Sequence, residues 1–184
     1  MKLIIGLGNP GAKYKDTRHN FGARAVELLA KKLEANFKMS KKLNARVAAA
    51  KLDGADMLVA LPQSFMNESG MPVSSLFHYY KVGSEDLIVV YDEIDLPFGT
   101  VRVGNFTSSG GHKGVQSIID TLGTPAFARV RLGIGPQTGP AENYVLEKWS
   151  PDQHEKLPEL LDRATDAIKE LVQNGPEKAA SKFN

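Results

Sequence analysis

The segment that most narrows the possible folds is Leu87 to Tyr91, Leu-Ile-Val-Val-Tyr, an apolar run with no polar beat that ends at Asp92. A strand with one face in water alternates apolar and polar side chains, whereas a strand covered on both faces is apolar throughout. The run therefore predicts a strand in the middle of a sheet. Lys2 to Leu7, Ala45 to Leu52, Met57 to Leu61, Val101 to Val103 and Val130 to Ile134 also read as strands. Between them lie amphipathic stretches with helical spacing, so the fold class is α/β.

The first helix is expected near Asn20, where Phe21, Ala25, Leu28, Leu29 and Leu33 recur every three or four residues and line one face. A second is expected over Val73 to Tyr80, and a third from about Lys113 to Leu122 after Gly110-Gly111. The last starts at Ser150-Pro151: Ser150 with Gln153 fits a capping box, and proline suits the first helical position. It is expected to stop at Asn174-Gly175-Pro176, while Pro158 either kinks it or marks its true start. Gly135 to Ala141 reads as a short loop, and Glu177 to Asn184 as a short, mobile helix. At 184 residues, with no internal repeat or long linker, a single domain over 1–184 is the expectation.

Composition then removes whole classes of chemistry. There is no cysteine, which excludes disulfides, thiolate nucleophiles and cysteine-ligated zinc. A net charge of +2 is too small to attract a polyanion by the field of the whole molecule, so a nucleic-acid partner would need a local basic patch. The opening MKLIIGLGNPG has too short an apolar run for a signal-peptide core or a membrane span, and a cytoplasmic location is the simplest expectation.

Gly6, Gly8 and Gly11 formally match the G-x-G-x-x-G dinucleotide cradle. In that cradle a helix opens at the glycines, whereas here Ala12 to Arg18 is polar and helical periodicity begins only near Asn20. The bland alternative is a tight turn after the first strand, projecting Asn9 from the strand end. His19 lies just before the first helix, where a lone histidine is more often a cap or a surface residue. As a base it needs an orienting carboxylate, because a helix N-terminus disfavours the imidazolium. Asp92, after the central apolar strand, is the candidate, since open α/β sheets place ligands at the carboxyl ends of their strands.

Asp92, Glu93 and Asp95 form either a divalent-metal site or one functional carboxylate beside turn and ion-pair residues. No H-E-x-x-H and no phosphate loop with lysine accompanies them, which favours the metal-free reading. No G-x-S-x-G serine elbow occurs, so water activated by a positioned base is the expected nucleophile. Asn67 is a turn residue or a neutral donor to a carbonyl oxygen on which negative charge develops, with Phe65 and Met66 as an apolar wall.

Together, GLGNPGAKYKDTRHNFG, FMNESG, YDEIDLPFGTVRV, GGHKG and RVRLGIG occur in order along almost the entire chain. In these blocks the sequence resembles the bacterial peptidyl-tRNA hydrolase family. The resemblance implies a mixed, twisted central sheet flanked by helices, and hydrolysis of the ester between peptide and tRNA with no cofactor and no metal. By the same resemblance His19 is the general base, Asp92 its orienting partner, and Asn9 and Asn67 complete the catalytic set. Tyr14, Asn20, Phe65, Met66, Asp95, His112 and Lys113 would surround the substrate. Arg102, Lys113, Arg129 and Arg131 would form the tRNA-binding patch, with Lys178 and Lys182 as possible additions. The implied partner is peptidyl-tRNA alone, bound by a monomer with no obligate protein partner and no membrane.

One departure stands out: the family pattern has asparagine where this chain has Lys113. A lysine donates hydrogen bonds but accepts none, so the role of the amide does not carry over. Gly104 replaces a further basic residue found in some relatives. Lys113 is also the one feature that favours the alternative, a noncatalytic RNA-binding or splicing-factor-like member of the same fold. A nicotinamide-dependent enzyme, resting on the glycine pattern alone, comes third.

Overall fold

A computed structural model describes residues Met1–Asn184. At the centre of its sheet, β1 (Lys2–Gly6), β4 (Ala55–Pro62), β5 (Leu87–Pro97) and β7 (Ala128–Gly135) lie parallel in the order β4-β1-β5-β7. β3 (Ala45–Leu52) and then β2 (Lys38–Ser40) extend the β4 side antiparallel, and β6 (Val101–Asn105) closes the β7 side antiparallel. The sheet is thus mixed and seven-stranded, with the apolar run inside it as expected.

Strand alternation sorts β1 and β5 between two cores. Ile4, Ile88 and Val90 face α1 (Phe21–Lys32) and α5 (Pro151–Phe183), packing with Phe21, Ala25, Leu29, Leu157 and Ile168. Leu3, Ile5, Leu87, Val89 and Tyr91 face α2 (Gly70–Tyr79) and α3 (Lys113–Leu122), packing with Val73, Leu76, Val115 and Ile118. Coverage on both faces explains why β5 carries no polar beat before Asp92.

The approach of α1 to β5 is close enough to require glycine at position 22, where an added Cβ would overlap the carbonyl of Val90. Gly22→Ala is therefore expected to lower stability by about 1–3 kcal/mol, the usual cost of overpacking. The check is the urea midpoint, which should fall with little change in the slope of the transition.

α5 begins with the expected capping box at Ser150 and Gln153. It passes through Pro158 with helical backbone, so that proline is neither a kink nor the start. The break comes at Gly175 (φ 80°, ψ 174°), beyond which the chain is helical again to Phe183. Ala179 of that last stretch is buried, and the Asn184 amide exchanges two hydrogen bonds with the backbone of Val103. β2 was not anticipated, and the Gly/Pro-rich loop ends in a helix of one turn, α4 (Ala141–Tyr144). No helix is long and apolar enough to cross a membrane.

Candidate active site

β5 does not end at Asp92, as the sequence suggested, but runs on to Pro97 along β7. On its other side the pairing with β1 stops at Gly6↔Val90. Asp92 therefore lies beyond the end of β1, with an open flank at the carboxyl edge of the parallel strands. The chain leaving β1 returns through a short turn of 3-10 helix, Arg18–Asn20, into α1, and this turn sets His19 on that flank.

The His19 Nδ1 is 2.9 and 3.0 Å from the two oxygens of Asp92. A second imidazole reaches the same carboxylate, with His112 Nε2 3.1 Å from Oδ1. His112 caps α3, its Nδ1 accepting from the Val115 N–H at 3.2 Å. A ring nitrogen that accepts carries no proton, so His112 Nε2–H donates to Asp92. His19 Nδ1 likewise donates to the carboxylate, leaving Nε2 with a free lone pair. Gly110 (φ 59°) and Gly111 (φ 82°) make the left-handed turn that brings His112 to this place.

The Asp92 side chain is 1% exposed. Burial by itself would raise its pKa, but the charges and hydrogen bonds of His19 and His112 prevail and hold the carboxyl well below the usual carboxylate range. The site thus contains a fixed anion between two imidazoles, both of which border a cleft. Together these three residues bring potential metal ligands within 4.8 Å of one another, but the hydrogen bonds above account for each of those atoms without an ion.

The cleft has a volume of about 590 Å³ and is bordered by His19, Asp92, Asn9, Asn67, His112 and Lys113, with Phe65, Met66 and Asp95 also in its lining. Asn9 Oδ1 accepts from the Met66 N–H at 2.8 Å, so the Asn9 side-chain NH₂ is free to donate into the cleft. Asn67 lies in the next short turn, exposed and without a protein hydrogen bond. Two expected substrate contacts lie elsewhere. Asn20 is buried behind Asn9, holding that residue's backbone N–H and C=O with two 2.9 Å bonds, and so acts through Asn9. Tyr14 packs edge-on to Phe65 outside the cleft.

The opposite wall, with Val145 and Leu146, was not anticipated. It is tied to the base by the backbone: His19 N–H donates to the Val145 carbonyl at 2.8 Å, and Arg18 N–H to that of Glu147 at 3.1 Å. The Arg18 guanidinium lies 4.1 Å from the Tyr144 ring centroid and bonds the Tyr144 carbonyl and the Glu147 carboxylate. The one available clue was a pair of aromatics, Tyr144 and Trp149, both buried, in the unassigned stretch between the loop at Gly135 to Ala141 and the cap at Ser150.

Of the acidic cluster only Asp92 reaches the imidazoles. Glu93 is buried and accepts from the Asp95 N–H, while the Asp95 side chain is exposed on the rim. The expected basic patch is smaller than the sequence suggested. Arg102 and Arg131 are cross-strand partners and partly exposed, Arg131 lying 4.3 Å from the Phe106 ring centroid. Arg129 is fully buried: its guanidinium donates to the Ser108 and Pro125 carbonyls and stacks on Phe127, so it meets no phosphate. Lys178 and Lys182 are exposed, the latter paired with Glu170.

Comparison with known proteins points one way. The profile of the family described as peptidyl-tRNA hydrolase matches residues 3–184. A peptidyl-tRNA hydrolase of Herpetosiphon aurantiacus is 44% identical over 187 aligned positions, covering 100% of this chain and 90% of the relative. One from Mycobacterium tuberculosis is 40% identical, covering 99% of this chain and 96% of its own. The crystal structure of peptidyl-tRNA hydrolase from Acinetobacter baumannii superimposes with a TM-score of 0.93 at 33% identity, covering 100% of this chain and 94% of that one.

Proposed function

The chain belongs to the peptidyl-tRNA hydrolase family and hydrolyses peptidyl-tRNA; from that premise we propose that His19 is the general base for the attacking water and Asp92 its orienting anion. The observation that carries this reading is the Asp92 carboxylate, bonded to His19 Nδ1 at the floor of the cleft so that Nε2 alone is left to take a proton.

Water bound between His19 Nε2 and the ester carbonyl carbon loses a proton to the imidazole as its oxygen attacks. The imidazolium so formed is stabilised by the carboxylate that already holds Nδ1–H. Negative charge grows on the carbonyl oxygen, where the side-chain NH₂ groups of Asn67 and Asn9 can donate to it. As the bond from carbon to the ribose oxygen breaks, Nε2–H returns the proton to that oxygen, leaving a free peptide carboxyl and a free tRNA 3′ end. His112 holds the second side of Asp92, and Phe65 and Met66 form an apolar wall for the peptide. No cofactor enters the scheme. Recognition through backbone amides rather than side chains makes the reaction indifferent to peptide sequence.

Arg131, Arg102 and Lys113 would take tRNA phosphates, which set position without reading sequence. Arg131→Ala is expected to weaken tRNA binding and to reduce the slope of log affinity against log salt by about 1. Arg129→Ala, at the buried position, should leave that slope unchanged and lower stability instead. An unaltered slope in Arg131→Ala would remove it from the patch. The whole of 1–184 acts as one domain in this scheme, as a monomer in the cytoplasm and with no obligate protein partner. Release of tRNA from an N-acetyl-aminoacyl-tRNA by the purified protein tests the core claim; RNA binding without turnover would replace it with the noncatalytic reading.

A further inference from the structure

Lys113 has a partner that the sequence did not suggest. Its Nζ lies 2.9 Å from the Glu142 carboxylate on α4, joining the cap of α3 to the far rim of the cleft. Both side chains are largely exposed, 63% and 77%, so the pair is held weakly and a more concentrated negative charge can displace the carboxylate. Lys113 also borders a second cavity of about 450 Å³ that runs beside the first and has no apolar residue in its lining. Asn67, Gly111 and Lys113 are common to both, so the lysine stands at the junction between a cleft with apolar walls and a polar groove.

Resting on the hydrolase reading, we propose that Glu142 is an internal competitor for substrate phosphate: Lys113 leaves Glu142 for a phosphate of the tRNA 3′ end on binding, and returns to it on release. A ligand with an acyl group but no phosphate has nothing to offer Lys113 in exchange, and meets a rim bridged by the ion pair. A ligand that joins the two releases the bridge as it binds. Glu142 is thus a specificity-determining residue that favours peptides attached to RNA over free peptide esters, at some cost in affinity for the true substrate. In this chain the position where the family pattern has a neutral amide carries a charge, and Glu142 is the group that keeps that charge occupied in the free protein. Its carboxyl is held below the usual carboxylate range by the hydrogen bond and charge of Lys113, so at neutral pH the bridge is an ion pair.

The test is steady-state kinetics on N-acetyl-aminoacyl-tRNA at low salt with the unaltered protein, E142Q, K113Q and the double variant. E142Q is expected to lower KM by about two- to fivefold, the span an exposed ion pair covers. K113Q is expected to raise KM, and in that background E142Q should change it no further. An unchanged or raised KM in E142Q overturns the proposal. A fall of the same size with and without Lys113 overturns it too, because Glu142 would then act through the general field and not through this lysine. If the unaltered protein fails to turn over the substrate, it is the underlying hydrolase reading that is lost.

Discussion

His19→Ala lowers kcat for peptidyl-tRNA hydrolysis by about 10²–10⁴, the range over which a positioned base contributes, and leaves tRNA affinity close to that of the parent. The substitution removes the only imidazole nitrogen free to take a proton from water, while the basic residues lie on other elements and keep their places. Asp92 retains His112 and so is not stranded as a buried anion without a partner. The measurement is release of tRNA from N-acetyl-aminoacyl-tRNA alongside an independent binding titration. Parent-like kcat in this variant removes His19 from the mechanism, and a matched loss in both readouts would assign it to binding instead.

Asp92→Asn is expected to be nearly as severe, at about 10²–10⁴ in kcat, for a different reason. An amide presents one acceptor and one NH₂ where the carboxylate presents two acceptors to two imidazole N–H groups. At least one histidine must then turn or change tautomer, and the imidazolium formed during attack loses its counter-charge. The substitution also has a signature in folding. The folded-state pKa of Asp92 lies below its unfolded value of about 3.9, so its ionisation contributes stability that is present above that pH and lost as the pH falls below it. The parent should therefore lose stability more steeply than Asp92→Asn below about pH 4, measured as urea midpoints over that range. Parallel acid limbs would mean that the carboxylate is not held in its ionised form.

Much of this was readable in one dimension because local pattern and global fold agree. The apolar run before Asp92 is covered on both faces by helices whose own periodicity announced them, and the ends of α3 and the capping box of α5 lie where their residue types put them. His19, Asp92, Asn9 and Asn67 do meet at one cleft, although the sequence separates them widely. What stayed hidden depends on partners far along the chain. Nothing in the neighbourhood of Arg129 says that the loop at Ser108 will meet its guanidinium, so its charge looked available to RNA. Asn20 was placed at the substrate by its match to a family position, which says nothing about which way its turn points it. β2 is only Lys38–Ser40, too short for alternation to register. Pro158 reads locally as a breaker, yet its missing N–H costs one hydrogen bond in a helix that keeps helical backbone there and buries Leu157 and Leu161.

The backbone ties between His19 and Val145, and between Arg18 and Glu147, have a bearing on when in its life the molecule becomes competent. His19, Asp92, Asn9 and Asn67 are all synthesised by residue 92, but the wall that borders the cleft and steadies the turn carrying the base arrives only with residues 141–149. A chain still short of that point has no acceptors at Val145 and Glu147 for the backbone N–H groups of His19 and Arg18. Fixing the turn that carries the base is thus among the last steps open to a chain made from its N-terminus, since it waits on residues of the C-terminal third.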